Sequence, residues 1–147
     1  MAQIEIEAVD ERDSSWEVGT PRFRVYLHSS GPETTTGSTW TYDITGADAI
    51  QAIDWAQRQA RAGAVEGRGP VLTWALALVR DDAEMERVNP GHRRGLIWLV
   101  GMDGNAITED YPEEQAVQRR MLLRRTQAIL VPAADTMPPG ADHFIDG

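Results

Sequence analysis

Cysteine and lysine are both missing from the 147 residues. Without cysteine there is no disulfide, no thiolate zinc or iron–sulfur ligation and no thiol nucleophile. Without lysine there is no Schiff-base chemistry. All fourteen basic residues are arginine, whose guanidinium holds its proton above about pH 12 and is no general base near neutrality. Together with abundant alanine and glycine, that bias fits a GC-rich genome. No run approaches the roughly 18 consecutive apolar residues of a spanning helix, so no membrane partner is expected. The opening stretch MAQIEIEAVDERD is acidic and alternating, where a secretory signal is basic and then continuously apolar. The expectation is a cytoplasmic protein.

With 41% hydrophobic and 25% charged residues, the composition is that of a globular chain. A chain of this length forms about one domain, able to bury roughly 68–70% of its unfolded surface. We expect a single α+β domain over residues 1–131 and an irregular tail over 132–147, where Pro132, Pro138, Pro139 and Gly140 break both helical and strand periods.

The formal charge is −9, which repels phosphate backbones, so no nucleic-acid partner is expected. The acids are uneven. Residues 1–20 hold Glu5, Glu7, Asp10, Glu11, Asp13 and Glu17 against Arg12 alone. Residues 103–114 hold five acids and no arginine, whereas Arg119, Arg120, Arg124 and Arg125 follow. Acids at the start of a helix and arginines later are what the helix dipole favours, so this polarity needs no nucleic acid to explain it.

Residues 3–9 alternate Ile4, Ile6 and Ala8 with Glu5 and Glu7, the pattern of an edge strand with an acidic outer face. Trp16 falls in the acidic loop that follows. Residues 22–28 set Phe23, Val25 and Leu27 against Arg24, Tyr26 and His28, and residues 39–44 put Trp40, Tyr42 and Ile44 on one side. The polar SSGPETTTGS between them reads as a hairpin loop. A helix is expected over 46–62, opened by a capping box between Thr45 and Asp48 and ended by Gly63. Residues 71–79 and 96–102 are apolar on both alternating faces, as in central strands covered on both sides. Between them a charged connection carries a short helical turn at 82–87 and the turn Asn89-Pro90-Gly91. Asp103-Gly104 reads as a turn. Asp110, Pro112 and Glu113 signal a second helix over 111–125, and 126–131 reads as its last turns or a sixth strand. The expected fold is therefore a mainly antiparallel sheet of five or six strands in the order β-β-β-α-β-β-α, with two helices.

Motifs for chemistry are sparse. His28, His92 and His143 are far apart in sequence, with no pair at helical spacing, so no metal is expected. His28 reads as a strand-face residue and His92 as a loop residue. The acid pairs Asp81-Asp82 and Glu109-Asp110 read as a solvated loop and a cap, since adjacency alone perturbs neither carboxylate. The serines lack a Gly-x-Ser-x-Gly elbow, and no GxGxxG or GxxxxGK[ST] loop occurs. No catalytic residue and no cofactor are assigned.

Five tryptophans are more informative, and Trp40, Trp74 and Trp98 on three strands read as core. Trp55 is out of place. At 100° per residue, Gly46, Ala49, Ile50, Ile53, Ala56 and Ala60 form an apolar arc, and Trp55 falls opposite it with Gln51, Asp54, Arg58, Gln59 and Arg61. One explanation is a ring lying along the helix, stacked on Arg58 or covered by the loop over residues 81–94. The other is an interface anchor, because tryptophan and arginine dominate binding hot spots. That makes Trp55, Arg58, Asp48, Asp54 and Arg61 a candidate protein-interaction site, for a homodimer or for an acidic inhibitor or immunity-type partner of a basic protein. The alternative is a small-molecule binder or an enzyme acting on an anionic ligand, with its site lined by Arg24, Tyr26, His28 and Arg125.

Overall fold

Alternation in β1 (Arg22–Ser29) decides the architecture, because its two faces differ so sharply. Phe23, Val25 and Leu27 are buried on one side, with Arg24 and Tyr26 half-buried on the other. β1 pairs antiparallel with β2 (Ser38–Thr45) and with β3 (Leu72–Asp81), so rows of side chains run across three strands. Ile44, Phe23 and Leu78 form one row, Tyr42, Val25 and Leu76 the next, and Trp40, Leu27 and Trp74 the third. β4 (Arg94–Val100) adds antiparallel to β3, giving a four-stranded sheet in the order β2-β1-β3-β4. The computed structural model describes residues 4–14, 18–29, 38–65, 72–102, 120–121 and 128–142.

Helix α1 (Ala49–Val65) joins β2 to β3 and packs on the two central strands, β1 and β3. A second helix, α2 (Ala83–Val88), lies in the β3–β4 connection where a helical turn is expected; Asp82 caps it by accepting from the Glu84 amide at 2.9 Å. The fold class is thus α+β with an antiparallel sheet, as the sequence suggests, but the strand count and order are corrected. Among the described residues there are four strands, in the sequence β-β-α-β-α-β. Residues 4–9 form no strand. Ile4 and Ile6 are 93% and 95% exposed, so the alternation is present but joins no ladder among the described residues. Among the described strands, β3 of the two doubly apolar segments is central and β4 is an edge. The expected hairpin loop, Trp16, the Asp103-Gly104 turn and most of the expected helix over 111–125 lie outside the described residues, although 120–121 are helical. Residues 128–131 are irregular, neither helix nor strand.

The start of α1 is also corrected. Gly46 has φ 79°, a left-handed conformation incompatible with a right-handed helix, so the helix begins after it. The cap is Asp48, whose Oδ1 accepts from the Gln51 amide at 2.8 Å while Gln51 Oε1 accepts from the Asp48 amide at 3.0 Å. This reciprocal pair is a capping box displaced three residues from the Thr45 one.

The core lies between α1 and the sheet. Phe23, Val25, Leu27 and Leu76 meet Ala52, Trp55, Ala56 and Ala60, and Met137 from the expected irregular tail joins them. Two short 3-10 turns, Ala133–Asp135 and Pro139–Asp142, flank that methionine. No helix among the described residues is long and apolar enough to cross a membrane.

Candidate functional site

Trp55 faces inward. Its side chain is 5% exposed, packed in the core with its ring centroid 5.4 Å from that of Tyr42 and the planes at 72°. The expected apolar arc is therefore rotated: Ile50 is 44% exposed, while Ala52, Trp55, Ala56 and Ala60 face the sheet. A tryptophan ring buries about 150–250 Å², more than any aliphatic competitor on this alanine-rich helix, so it sets which side turns to the sheet.

The rest of the Trp55 group is distributed by the same rotation. Asp48 is the helix cap, and Arg61 is exposed. Asp54 is buried and accepts through Oδ2 from the Met137 amide at 2.9 Å and from Arg58 Nε at 3.1 Å. The Arg58 guanidinium also donates to the Met137 carbonyl at 3.2 Å. One turn along, buried Gln57 pairs with both peptide groups of Ile129: its Nε2 donates to the carbonyl at 3.0 Å, and its Oε1 accepts from the amide at 2.6 Å. The polar stripe 54-57-58 is thus a peptide-backbone reader, and the chain's own segment 129–137 fills it. Sequence reasoning did not identify Gln57, Ile129 or Met137. The spacing of Asp54, Gln57 and Arg58 was available, but backbone groups more than seventy residues away carry no side-chain signature.

Arg24, Tyr26 and His28 project from the face of β1 opposite α1, and Arg125 lies outside the described residues. Tyr26 meets Trp98 of β4 across this face, centroids 5.1 Å apart and planes tilted at 56°. His28 is buried, with Nδ1 3.0 Å from Thr39 Oγ1. Arg24 is engaged: its Nε and guanidinium nitrogen donate to the two Asp43 oxygens at 2.6 and 3.0 Å, and Arg22 donates to the same carboxylate at 2.7 Å. The Arg24 hydrogen bond, opposed by partial burial and helped by Arg22, holds the Asp43 carboxyl below its ordinary range. An anionic ligand here would have to displace Asp43.

Among the described residues no three His, Asp or Glu side chains gather as a metal site. Apolar side chains do stand in solvent. Besides Ile4 and Ile6, the edge strand β4 exposes Ile97 (43%) and Leu99 (42%). Leu99 is the extra residue of a bulge: Trp98 lies opposite Ala77 and Val100 opposite the next residue, Leu76, so the alternation breaks between them. Ile97 lies opposite Leu78, on the α1 side of the sheet, but beyond the strands that α1 covers.

Comparison with protein-family models, with curated proteins and with solved structures finds no match in any of the three.

Proposed function

We propose that the protein works by binding another polypeptide and not by catalysing a reaction. The carrying observation is that a segment outside the sheet leaves Ile4 and Ile6 almost fully exposed while the outer strand β4 of the described sheet exposes Ile97 and Leu99. Large aliphatic side chains held in water are unfavourable by about 1.5–3 kcal/mol each relative to burial, which is the free energy a partner recovers. A strand edge also offers unpaired backbone donors and acceptors for strand addition. The interaction reading from the sequence is thereby kept and its location changed, from the α1 face around Trp55 to residues 4–9 and β4. Partners of this class are a second copy or a basic protein, to which the net charge of −9 is complementary.

The test is affinity enrichment from native extract with the full chain as bait, against a bait carrying Ile4→Glu and Ile6→Glu. The expected result is one identified partner, this chain included, that is lost with the substituted bait while its melting temperature is unchanged. Equal recovery by both baits would refute the location, and no partner under any condition would refute the reading.

A second reading, an anionic small-molecule binder on the Arg24–Tyr26–His28 face, is favoured by the Tyr26–Trp98 aromatic pair beside Arg24. A ligand at 100 times its dissociation constant would raise stability by about 2.7 kcal/mol, visible as a thermal shift. Arg24→Gln should abolish that shift; a panel of anionic metabolites with no effect would remove this reading.

A further inference from the structure

We infer that the partner of the β4 edge is residues 4–9 of a second copy of this chain, so that two copies exchange their N-terminal segments as added strands. The inference rests on the docking reading above and names its occupant.

Three features of the molecule fit the two surfaces to each other. The first is length: β4 spans seven residues, and residues 4–9, outside any described ladder, supply six before Asp10 caps the next turn. The second is the apolar pattern. Ile4, Ile6 and Ala8 share one side of an extended strand, and β4 exposes Ile97 on the α1 side, where the sheet runs out beyond the helix. A strand added with Ile6 beside Ile97 would lay its isoleucines over that uncovered margin and send Glu5 and Glu7 to the other face. The third is charge. Arg94 lies on that other face, and Arg93 precedes it at the start of the edge; Asp81 is the shared acid of both, at 2.9 Å from Arg94 and 3.9 Å from Arg93. Two arginines over one carboxylate leave local positive charge for Glu5 or Glu7. Within a single chain the surfaces stay apart, since the isoleucines at 4 and 6 are exposed while Ile97 and Leu99 still face solvent.

The net charge of −9 opposes association of two copies at long range. Screening over about 8 Å at physiological ionic strength removes most of that repulsion, while pairs in contact are screened less. The association is therefore best tested near that ionic strength.

Sedimentation velocity of the purified full chain over a wide concentration range is the measurement. The wild type should sediment as two chains, and Ile4→Glu with Ile6→Glu should raise the dissociation constant about a hundredfold or more, as expected for withdrawing several buried isoleucines from the contact. Ile97→Lys should do the same from the other side. Mixing the two variants should recover part of the association, because the intact segment of one then meets the intact edge of the other in one of the two exchanged contacts; circular dichroism melts of both, matching wild type, exclude a folding defect. A wild type that stays monomeric at every concentration would overturn the second-copy assignment, as would a dimer indifferent to both variants. So would protection of amides 4–9 from hydrogen exchange in the monomer, which would mean pairing within one chain. If the wild type is monomeric yet enriches a different protein through Ile4 and Ile6, the docking reading survives and only the second copy fails.

Discussion

Replacing Trp55 by alanine tests how α1 is oriented. The ring is 5% exposed and packs with Phe23, Val25, Leu27, Leu76 and Met137 in one cluster. Truncating a core tryptophan to alanine costs about 3–5 kcal/mol, the lost transfer energy plus the cavity left behind. For a chain near 150 residues each kcal/mol lowers Tm by about 2–4 °C, so a fall of about 6–20 °C is expected. The edge-to-face contact with Tyr42 should account for about 0.5–1.5 kcal/mol of that, measured as the coupling in a double-mutant cycle with Tyr42→Ala. Trp55→Phe, which keeps an aromatic ring, should fall between wild type and alanine. The assay is reversible thermal or urea unfolding followed by circular dichroism. A Trp55→Ala protein with wild-type Tm would refute the packing and return Trp55 to the surface.

Asp54→Ala should leave the Met137 amide and Arg58 without their shared buried acceptor, costing about 1–3 kcal/mol and making the 129–137 segment the first site of limited proteolysis. Cleavage elsewhere at unchanged rate would argue that this segment is held by other contacts. Gly101 has φ 71°, and a Cβ there would lie 3.2 Å from Ala75 Cβ and 3.3 Å from the Trp74 carbonyl oxygen. Gly101→Ala should therefore destabilise by at least about 1 kcal/mol in urea unfolding, from left-handed backbone strain alone; a neutral result would mean that the β4 exit relaxes. Asp43 titrates lower in the folded chain than in the unfolded one. Its unfolded form thus binds a proton first as pH falls, so the stability it contributes is complete above about pH 4–5 and disappears as pH drops through the folded value. Arg24→Gln should flatten stability against pH in that acid range only; an unchanged slope would show that the pair contributes nothing.

Much of the fold was legible because alternation on β1 and β2 is clean: Phe23, Val25 and Leu27 can only face a core if Arg24 and Tyr26 do not. α1 was legible as a helix but not in rotation. Alanines at 49, 52, 56, 60, 62 and 64 surround it, so the hydrophobic pattern has two near-equal solutions, and Trp55 with Tyr42 selects the one that a simple arc count places second. Strand parity failed at β4 for a local reason. Trp98 and Val100 share a face in a regular strand, whereas the Leu99 bulge turns Trp98 toward Tyr26 and Val100 toward Leu76's side. The candidate ligand face was visible in part, since Arg24, Tyr26 and His28 share a period. Capture of Arg24 by Asp43 depends on the register Arg24↔Asp43, which no local pattern encodes.

The two outer strands of the sheet, as far as the described residues go, are unequal, and that inequality bears on what the protein builds. β2 carries Thr39, Thr41 and Asp43 on one face, and the Arg22–Asp43–Arg24 cluster places charge at its end. Charged and polar edges resist strand addition. β4 has its arginines only at the start, and Ile97 and Leu99 remain in water. Direct pairing of β2 from one copy with β4 of another would be head-to-tail and open-ended, the geometry of a fibre. Reciprocal donation of residues 4–9 is two-fold: each copy gives one segment and receives one, so both β4 edges are covered and growth stops. Glu5 and Glu7 then lie along what becomes the new outermost strand, and an acidic border discourages a third copy. On this argument the acidic alternation serves a limiting purpose as well as an attractive one. Glu5→Gln with Glu7→Gln should therefore keep the dimer but add larger species in sedimentation, whereas a strictly dimeric double variant would show that the border charge does not set the assembly size.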